Sequence, residues 1–186
     1  KQLHQRFSTQ GFNTGLVKFI LEALAPTTIL EFGSGVGHMA KFLNDADIVE
    51  CVHCIEPPSD VVGLYDKASG PILYPIDIFT DRIPPDLHEA YDLVLSIEVA
   101  EHIERSLHDA LFDFLTSKAA RWVVFSGTRP GQPGHGHVAC REELDWRGEF
   151  LRRGFVFRSD LTEAIRVSCN ERNKNHKRNV QILEKP

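Results

Sequence analysis

Positive charge is in deficit in this chain. Its 186 residues carry 21 lysines and arginines against 26 aspartates and glutamates, a formal net charge of −5. Such a chain has no electrostatic footprint for nonspecific nucleic-acid binding, which argues against a nucleic-acid partner unless a local patch supplies the charge. Long apolar runs are missing too. None approaches the roughly 20 residues that span a bilayer, so no membrane helix is expected. The opening KQLHQRFSTQ is polar and has no signal-peptide core. Residue 1 is Lys rather than Met, so the natural N-terminus is expected to lie upstream. Repeats and low-complexity segments are also absent.

Cysteine is sparse, with four residues. Cys51 and Cys54 form a C-x-x-C, a spacing used by zinc and redox sites, but no second pair accompanies it. Their surroundings, DIVECVHCIEP, read as a buried strand, on which residues three apart point to opposite faces and do not share a metal. The cysteines are therefore expected to be structural, in a reducing, cytoplasmic setting.

What is present is an ordinary globular composition, 42% hydrophobic and 25% charged, and a length suited to one domain over residues 1–186. Apolar residues recur at helical spacing over 11–24, ahead of the helix-stopping Pro26. Strand and helix patterns then alternate. Strands are expected at 27–33, 48–57, 71–77, 91–98 and 121–127, with helices at 38–46, 59–68 and 105–119. The near-continuous apolar run YDLVLSIE suits a strand buried on both faces. This alternation implies right-handed crossovers and a parallel sheet covered on both sides. The end differs: a Gly/Pro-rich loop at 128–137, a helix at 140–154, and strands at 155–160 and 179–185 with no full helix expected between them. Those two strands are expected to pair antiparallel at the sheet edge. The basic segment NERNKNHKR, 170–178, reads as a solvated turn before the last strand.

The segment TTILEFGSGVGHMAKFL, 27–43, is a strand, a glycine loop and a helix. Its glycines, Gly33, Gly35 and Gly37, are spaced G-x-G-x-G. The dinucleotide fingerprint needs a third glycine at 38, where this chain has His38; the Walker Gly-Lys-Ser/Thr is also missing. Glu31 precedes the loop, and Glu56 ends the second strand, placed to accept two ribose hydroxyls. A loop flanked by carboxylates repels phosphates and suits a locally cationic ligand.

ILEFGSGVGHMAKFL resembles motif I of the class I S-adenosylmethionine-dependent methyltransferases, and the resemblance runs on through Glu56 and PIDIF to YDLVLSIEVAEHI. It implies a Rossmann-like α/β fold: a seven-stranded, mostly parallel sheet with an antiparallel edge strand and helices on both faces. It also implies S-adenosylmethionine as cofactor and S-adenosylhomocysteine as product. Glu31, Gly33, Ser34, Gly35 and Gly37 would surround the methionine part and ribose. Glu56 would take the ribose hydroxyls, Asp77 the adenine amino group and Ile78 the ring face, and Ser96, Ile97 and Glu98 would line the cofactor from the fourth strand. Taken alone, Asp77 also reads as a turn-initiating aspartate.

SIEVAEHIERSLHD follows the fourth strand, on the carboxyl rim where open α/β sheets bind ligands. If this segment is helical, Glu98, Glu101 and His102 share one face. EVxEHI resembles a methyltransferase subgroup that includes quinone-biosynthesis enzymes. PGQPGHGHV, with His135 and His137, lies on the same rim and resembles a loop of small methyltransferases. His102 and His137 are the candidate bases, oriented by Glu98 or Glu101, because imidazole titrates near working pH. The acceptor expected is a small or sugar-like molecule. One alternative is a divalent metal, Mg or Mn, on Glu98, Glu101, His102 and a loop histidine, resembling the small-RNA 3′-terminal 2′-O-methyltransferases; NERNKNHKR would then be the first place to look for phosphate contacts. Another is a cofactor-binding module without catalysis. The first reading assigns no metal, and oligomeric state is left open.

Overall fold

The computed structural model describes residues 13–60, 62–65, 70–170 and 174–186. Seven strands form where the apolar patterns place them: β1 (Thr28–Phe32), β2 (Cys51–Ile55), β3 (Ile72–Tyr74), β4 (Tyr91–Ile97), β5 (Ala119–Ser126), β6 (Val156–Phe157) and β7 (Gln181–Glu184). They make one sheet in the order β3-β2-β1-β4-β5-β7-β6. The pairs from β3 to β5 are parallel, while β7 runs antiparallel to both β5 and β6, so the antiparallel pairing lies at this edge. The chain winds outward from β1 to β3 and then returns to β4 on the other side of β1. Such a reversal opens a crevice at the carboxyl ends of the central strands.

Among the described residues, six helices cover the sheet: α1 (Thr14–Phe19), α2 (His38–Asn44), α3 (His108–Lys118), α4 (Glu143–Leu151), α5 (Ser159–Ser168) and α6 (Lys174–Asn179). The Asn13 side chain caps α1 by accepting from the Leu16 N–H, and the helix runs on as a π turn, Ile20–Leu24, that stops at a left-handed Ala25 before Pro26. Successive strand residues feed opposite faces. Ile29 packs with Leu16 and Ile20, Leu43 of α2 and Ile165 of α5. Leu30 packs with Leu111 and Phe112 of α3 and with Trp146 and Phe150 of α4. Burying each such side chain stabilises the fold by about 1.5–3 kcal/mol.

Several expectations are corrected. Of the helix expected at 59–68, the described residues form only a 3-10 turn, Val62–Leu64; positions 61 and 66–69 lie outside the described residues, as do 11 and 12 of the first expected helix. A full helix, α5, does separate β6 from β7. It forms because Thr162 and Ile165, three apart, are buried on one side of an otherwise polar segment. The basic segment is not a solvated turn: positions 174–179 are helical and Asn179 is buried, while 171–173 lie outside the described residues.

All four cysteines are free. Cys54 is fully buried, with its Sγ accepting from Tyr65, while Cys51 is half-buried, and the two lie on opposite faces of β2 as strand geometry requires. Among the described residues no helix is long and apolar enough to cross a membrane.

Candidate active site

The loop after β1 is held by the Gly33 N–H, which donates to the Ile55 carbonyl at 2.8 Å and ties the loop to the end of β2. Gly33, Gly35 and Gly37 all take left-handed φ values, 77°, 55° and 79°. Their surroundings differ. A Cβ on Gly33 or Gly37 would lie 2.3 Å from Val99 or Tyr65, so these two are glycine for packing. At Gly35 nothing lies within 4 Å, and the backbone faces open space.

That space is a cavity of about 550 Å³. Its wall contains Gly33 and Gly35, Glu56 beyond β2, Asp77, Ile78 and Phe79 from the turn after β3, and Val99, His102 and Ile103 from the turn after β4. The Gly35 N–H donates to Glu56 Oε2 at 2.9 Å, so the loop aims this carboxylate. Burial pushes the Glu56 carboxyl upward and the Gly35 amide partly offsets it. Asp77 does two things. Its Oδ1 accepts from the Phe79 N–H at 2.9 Å, which starts a turn, and the residue also faces the cavity. Among the described residues, no lysine or arginine is in this wall.

Glu31, Ser34, Gly37, Ser96 and Ile97 are not part of the wall. Glu31 is 3% exposed, and its carboxyl is pushed up to about 8, mainly by burial, with the Ala40 amide opposing and the Glu56 charge adding to the rise. Glu31 Oε2, Ser34 Oγ and Ser96 Oγ are buried and have no hydrogen-bond partner among the described residues. Such atoms are costly, and they mark where a polar ligand gains most.

At the end of β4, Glu98 has φ 56°, uncommon outside glycine. Its N–H is held by the carbonyl and Oγ of Ser126, each at 3.1 Å. Only Ala100–His102 forms a 3-10 turn, so the expected helical face of Glu98, Glu101 and His102 does not form. Instead Thr128 joins the two acids: its Oγ1 lies 3.0 Å from Glu98 Oε2 and 2.6 Å from Glu101 Oε1. A hydroxyl has one hydrogen and cannot donate to both. The arrangement is satisfied when Glu101 is protonated and donates to Thr128, which donates to Glu98. Burial, followed by the charge of Glu98, raises the Glu101 carboxyl accordingly.

The Gly/Pro-rich loop folds over this end of the sheet. The Val138 and Ala139 N–H groups donate to the Glu101 carbonyl at 2.9 and 3.1 Å. His102 Nδ1 lies 3.0 Å from the Gly136 carbonyl, so Nδ1 carries a proton and, in the neutral ring, Nε2 is the atom with the lone pair. The backbone carbonyl, rather than Glu98 or Glu101, thus orients His102. His137 packs edge-on against His102 with ring centroids 5.1 Å apart, and His135 is exposed.

The sequence profile of the methyltransferase domain matches residues 3–160. The chain belongs to that family. No curated protein matches it in sequence. Among solved structures, magnesium protoporphyrin IX methyltransferase from Synechocystis PCC 6803 with bound SAH is similar, at 18% identity and TM-score 0.65 over 97% of this chain and 82% of that one. N-methyltransferase NodS from Bradyrhizobium japonicum, in complex with S-adenosyl-l-homocysteine, shares 17% identity at TM-score 0.65, over 93% and 85%. The plantazolicin methyltransferase BpumL, in complex with a pentazolic desmethylPZN analog and SAH, shares 11% at TM-score 0.66, over 99% and 89%. At these identities the likeness is one of fold.

Within this methyltransferase domain, three residues that the sequence reading passed over meet the acids at the rim. Asn179 Nδ2 donates to Glu98 Oε1 at 3.2 Å and to Gln132 Oε1 at 3.0 Å. Thr128 is fully buried between the carboxylates. His176 on α6 is held neutral-leaning by burial, against the pull of the Glu98 charge. A signal for Asn179 existed. An antiparallel last strand enters the sheet from the carboxyl rim, as the Phe125–Gln181 register shows, so residues just ahead of it belong to the site.

Proposed function

We propose that this methyltransferase takes its methyl group from S-adenosylmethionine, releases S-adenosylhomocysteine, and methylates a hydroxyl or amine of a small-molecule or sugar-like acceptor. The observation that carries the reading is His102. It stands in the same cavity wall as Gly35, Glu56 and Asp77, with Nδ1 committed to Gly136 and Nε2 free to take a proton. The sulfur–methyl bond breaks as the acceptor–methyl bond forms in line, and the acceptor proton passes to Nε2. Because the sulfonium is already activated, positioning supplies much of the rate.

The donor is cationic at sulfur and at its α-amino group, and the acids suit it. Glu31 pairs with the amino group, while Gly33, Ser34, Gly35, Gly37, Ser96 and Ile97 enclose the methionine and ribose. Glu56 accepts the ribose hydroxyls. Asp77 takes the adenine amino group through the oxygen its turn leaves over, and Ile78 packs on the ring. Glu98 and Glu101 set the charge behind the two histidines through Thr128. Replacing Glu56 by Ala removes charge-assisted bonds of roughly 1.5–3 kcal/mol each, so the cofactor dissociation constant should rise about tenfold or more with the fold intact. An unchanged constant by calorimetry would remove Glu56 as the ribose ligand. A cofactor-binding module without catalysis would bind S-adenosylmethionine and turn over nothing. Labelled S-adenosylmethionine offered to a metabolite extract and to an RNA pool, with mass spectrometry of the methylated product, separates that case from an enzyme and one acceptor class from the other.

One observation favours a metal-dependent variant of the same reaction. A ligand atom from each of Glu101, His102 and His137 lies within 4.8 Å of the other two. With Glu98 nearby, oxygen and imidazole ligands would suit Mg²⁺ or Mn²⁺, which would polarise the acceptor oxygen. Methyl transfer that falls after EDTA treatment and returns with Mg²⁺ or Mn²⁺ is the expected outcome of this variant; turnover unaffected by EDTA eliminates it.

A further inference from the structure

The C-x-x-C segment carries a second cluster of metal-ligating side chains, away from the cavity. Residues two apart on a strand share a face, so β2 presents Cys51 and His53 together while Cys54 turns to the other side. His88, in the segment leading to β4, completes the group. Its Nδ1 is 4.0 Å from Cys51 Sγ, and one ligand atom from each of Cys51, His53 and His88 lies within 4.8 Å of the other two. Glu56, at the far end of β2, is five residues on, about 16 Å along a strand that rises ~3.3 Å per residue.

Tyr91 organises this cluster. Its Oη lies 2.6 Å from His53 Nδ1 and accepts the His88 backbone N–H at 3.0 Å. Its ring stacks on His88, with centroids 5.2 Å apart and planes inclined by 13°. Both imidazoles are thus held by one residue that is itself fully buried. Metal-bound histidines are held as His53 is, with one ring nitrogen engaged by an outer partner and the other left for the ion. With Nδ1 of His53 taken by Tyr91, Nε2 is the ring atom that remains.

A buried histidine satisfied by a tyrosine is a common core feature, and His53 alone would be no more than that. The half-buried thiol beside it and the exposed imidazole at 4.0 Å are what the core does not need. We propose that Cys51, His53 and His88 form a binding site for a thiophilic divalent cation of the zinc class. Tetrahedral zinc, with Zn–S near 2.3 Å and Zn–N near 2.0–2.1 Å, brings sulfur and nitrogen ligands to roughly 3.6 Å of one another. The observed 4.0 Å closes to that by small side-chain rotations. One thiolate and two imidazoles select zinc over magnesium or calcium. The surroundings are acidic: Glu50 and Asp92 bear on Cys51, and Asp86 on His53. Three protein ligands leave the fourth position to water. The ion would fasten the segment before β4 to the first residues of β2.

Cobalt substitution tests this on the whole protein. Co²⁺ is expected to bind at one equivalent with a thiolate-to-cobalt charge-transfer band, displaced by Zn²⁺, and Zn²⁺ should raise the unfolding temperature. Cys51→Ser should abolish the band, and His88→Ala, an exposed position that the core does not need, should weaken cobalt binding at least tenfold. The Glu101, His102 and His137 group has no sulfur, so a His102→Ala variant should keep the band. Cobalt that binds without a sulfur band, or zinc held equally tightly by the wild type and Cys51→Ser, would overturn the site. The sulfur band and its loss in Cys51→Ser depend neither on methyl transfer nor on the Glu101, His102 and His137 group, so they stand or fall apart from the proposed activity.

Discussion

Replacing Glu31 by Gln is expected to weaken cofactor binding at least tenfold and, at the same time, to make the cofactor-free protein harder to unfold at alkaline pH. Both effects follow from a carboxyl that is 3% exposed with Oε2 unpartnered. Burial raises it from an ordinary value of 4.5 to about 8. An acid whose folded pKa lies above its unfolded one holds its proton more tightly when folded. The associated stability is complete below about pH 4.5 and is lost as pH rises to about 8, at up to roughly 1.4 kcal/mol per pH unit. Glutamine does not ionise. The variant and the wild type should therefore unfold at similar temperatures at pH 5, and the variant should gain as pH climbs to 8.5. Binding runs the other way. An α-ammonium beside Glu31 favours the carboxylate, so at pH 7 the wild type should release close to one proton on taking up S-adenosylmethionine. Calorimetry in buffers of different ionisation enthalpy measures that proton. If Glu31→Gln lowers the unfolding temperature equally at both pH values, Glu31 is not a strained acid kept for a cation.

The largest effect on turnover is expected at His102. Removing a positioned general base costs typically 10²–10⁴-fold in kcat. His102→Ala should fall in that range while the cofactor dissociation constant changes little, because the acids and the glycine loop make most of the proposed contacts. His137→Ala should cost less, since His137 is outside the cavity wall and packs against His102 edge-on. Full turnover by His102→Ala would show that the base lies elsewhere. A greater loss at His137 than at His102 would exchange their roles.

Where the chain repeats a simple pattern, the sequence was a good guide. Apolar runs placed all seven strands, and of the residues picked out by motif, Gly33, Gly35, Glu56 and Asp77 stand in one cavity wall while Gly37 does not. Asp77 starts a turn, as one of its two readings has it, and also faces the cavity. The rim was harder to read because its geometry depends on contacts distant in sequence. Glu98 adopts a left-handed backbone, which no local pattern of non-glycine residues announces, and the helical face drawn through Glu98, Glu101 and His102 fails for that reason. Thr128 and Asn179 meet Glu98 across 30 and 81 residues of chain. The helix α5 was missed because only Thr162 and Ile165 are buried along its polar length, too sparse a stripe to stand out.

The position of β7 has a consequence for how the molecule is made. It is the last of the seven strands in the chain, yet it sits between β5 and β6 rather than outside them. While residues 181–184 are still being synthesised, β5 presents an unpaired edge and β6, two residues long, has no partner. Open edges of this kind recruit strands from other chains. The same late segment brings in Asn179, so the groups around Glu98 assemble only when the sheet closes. A chain stopped short of β7 should then be both inactive and prone to clump.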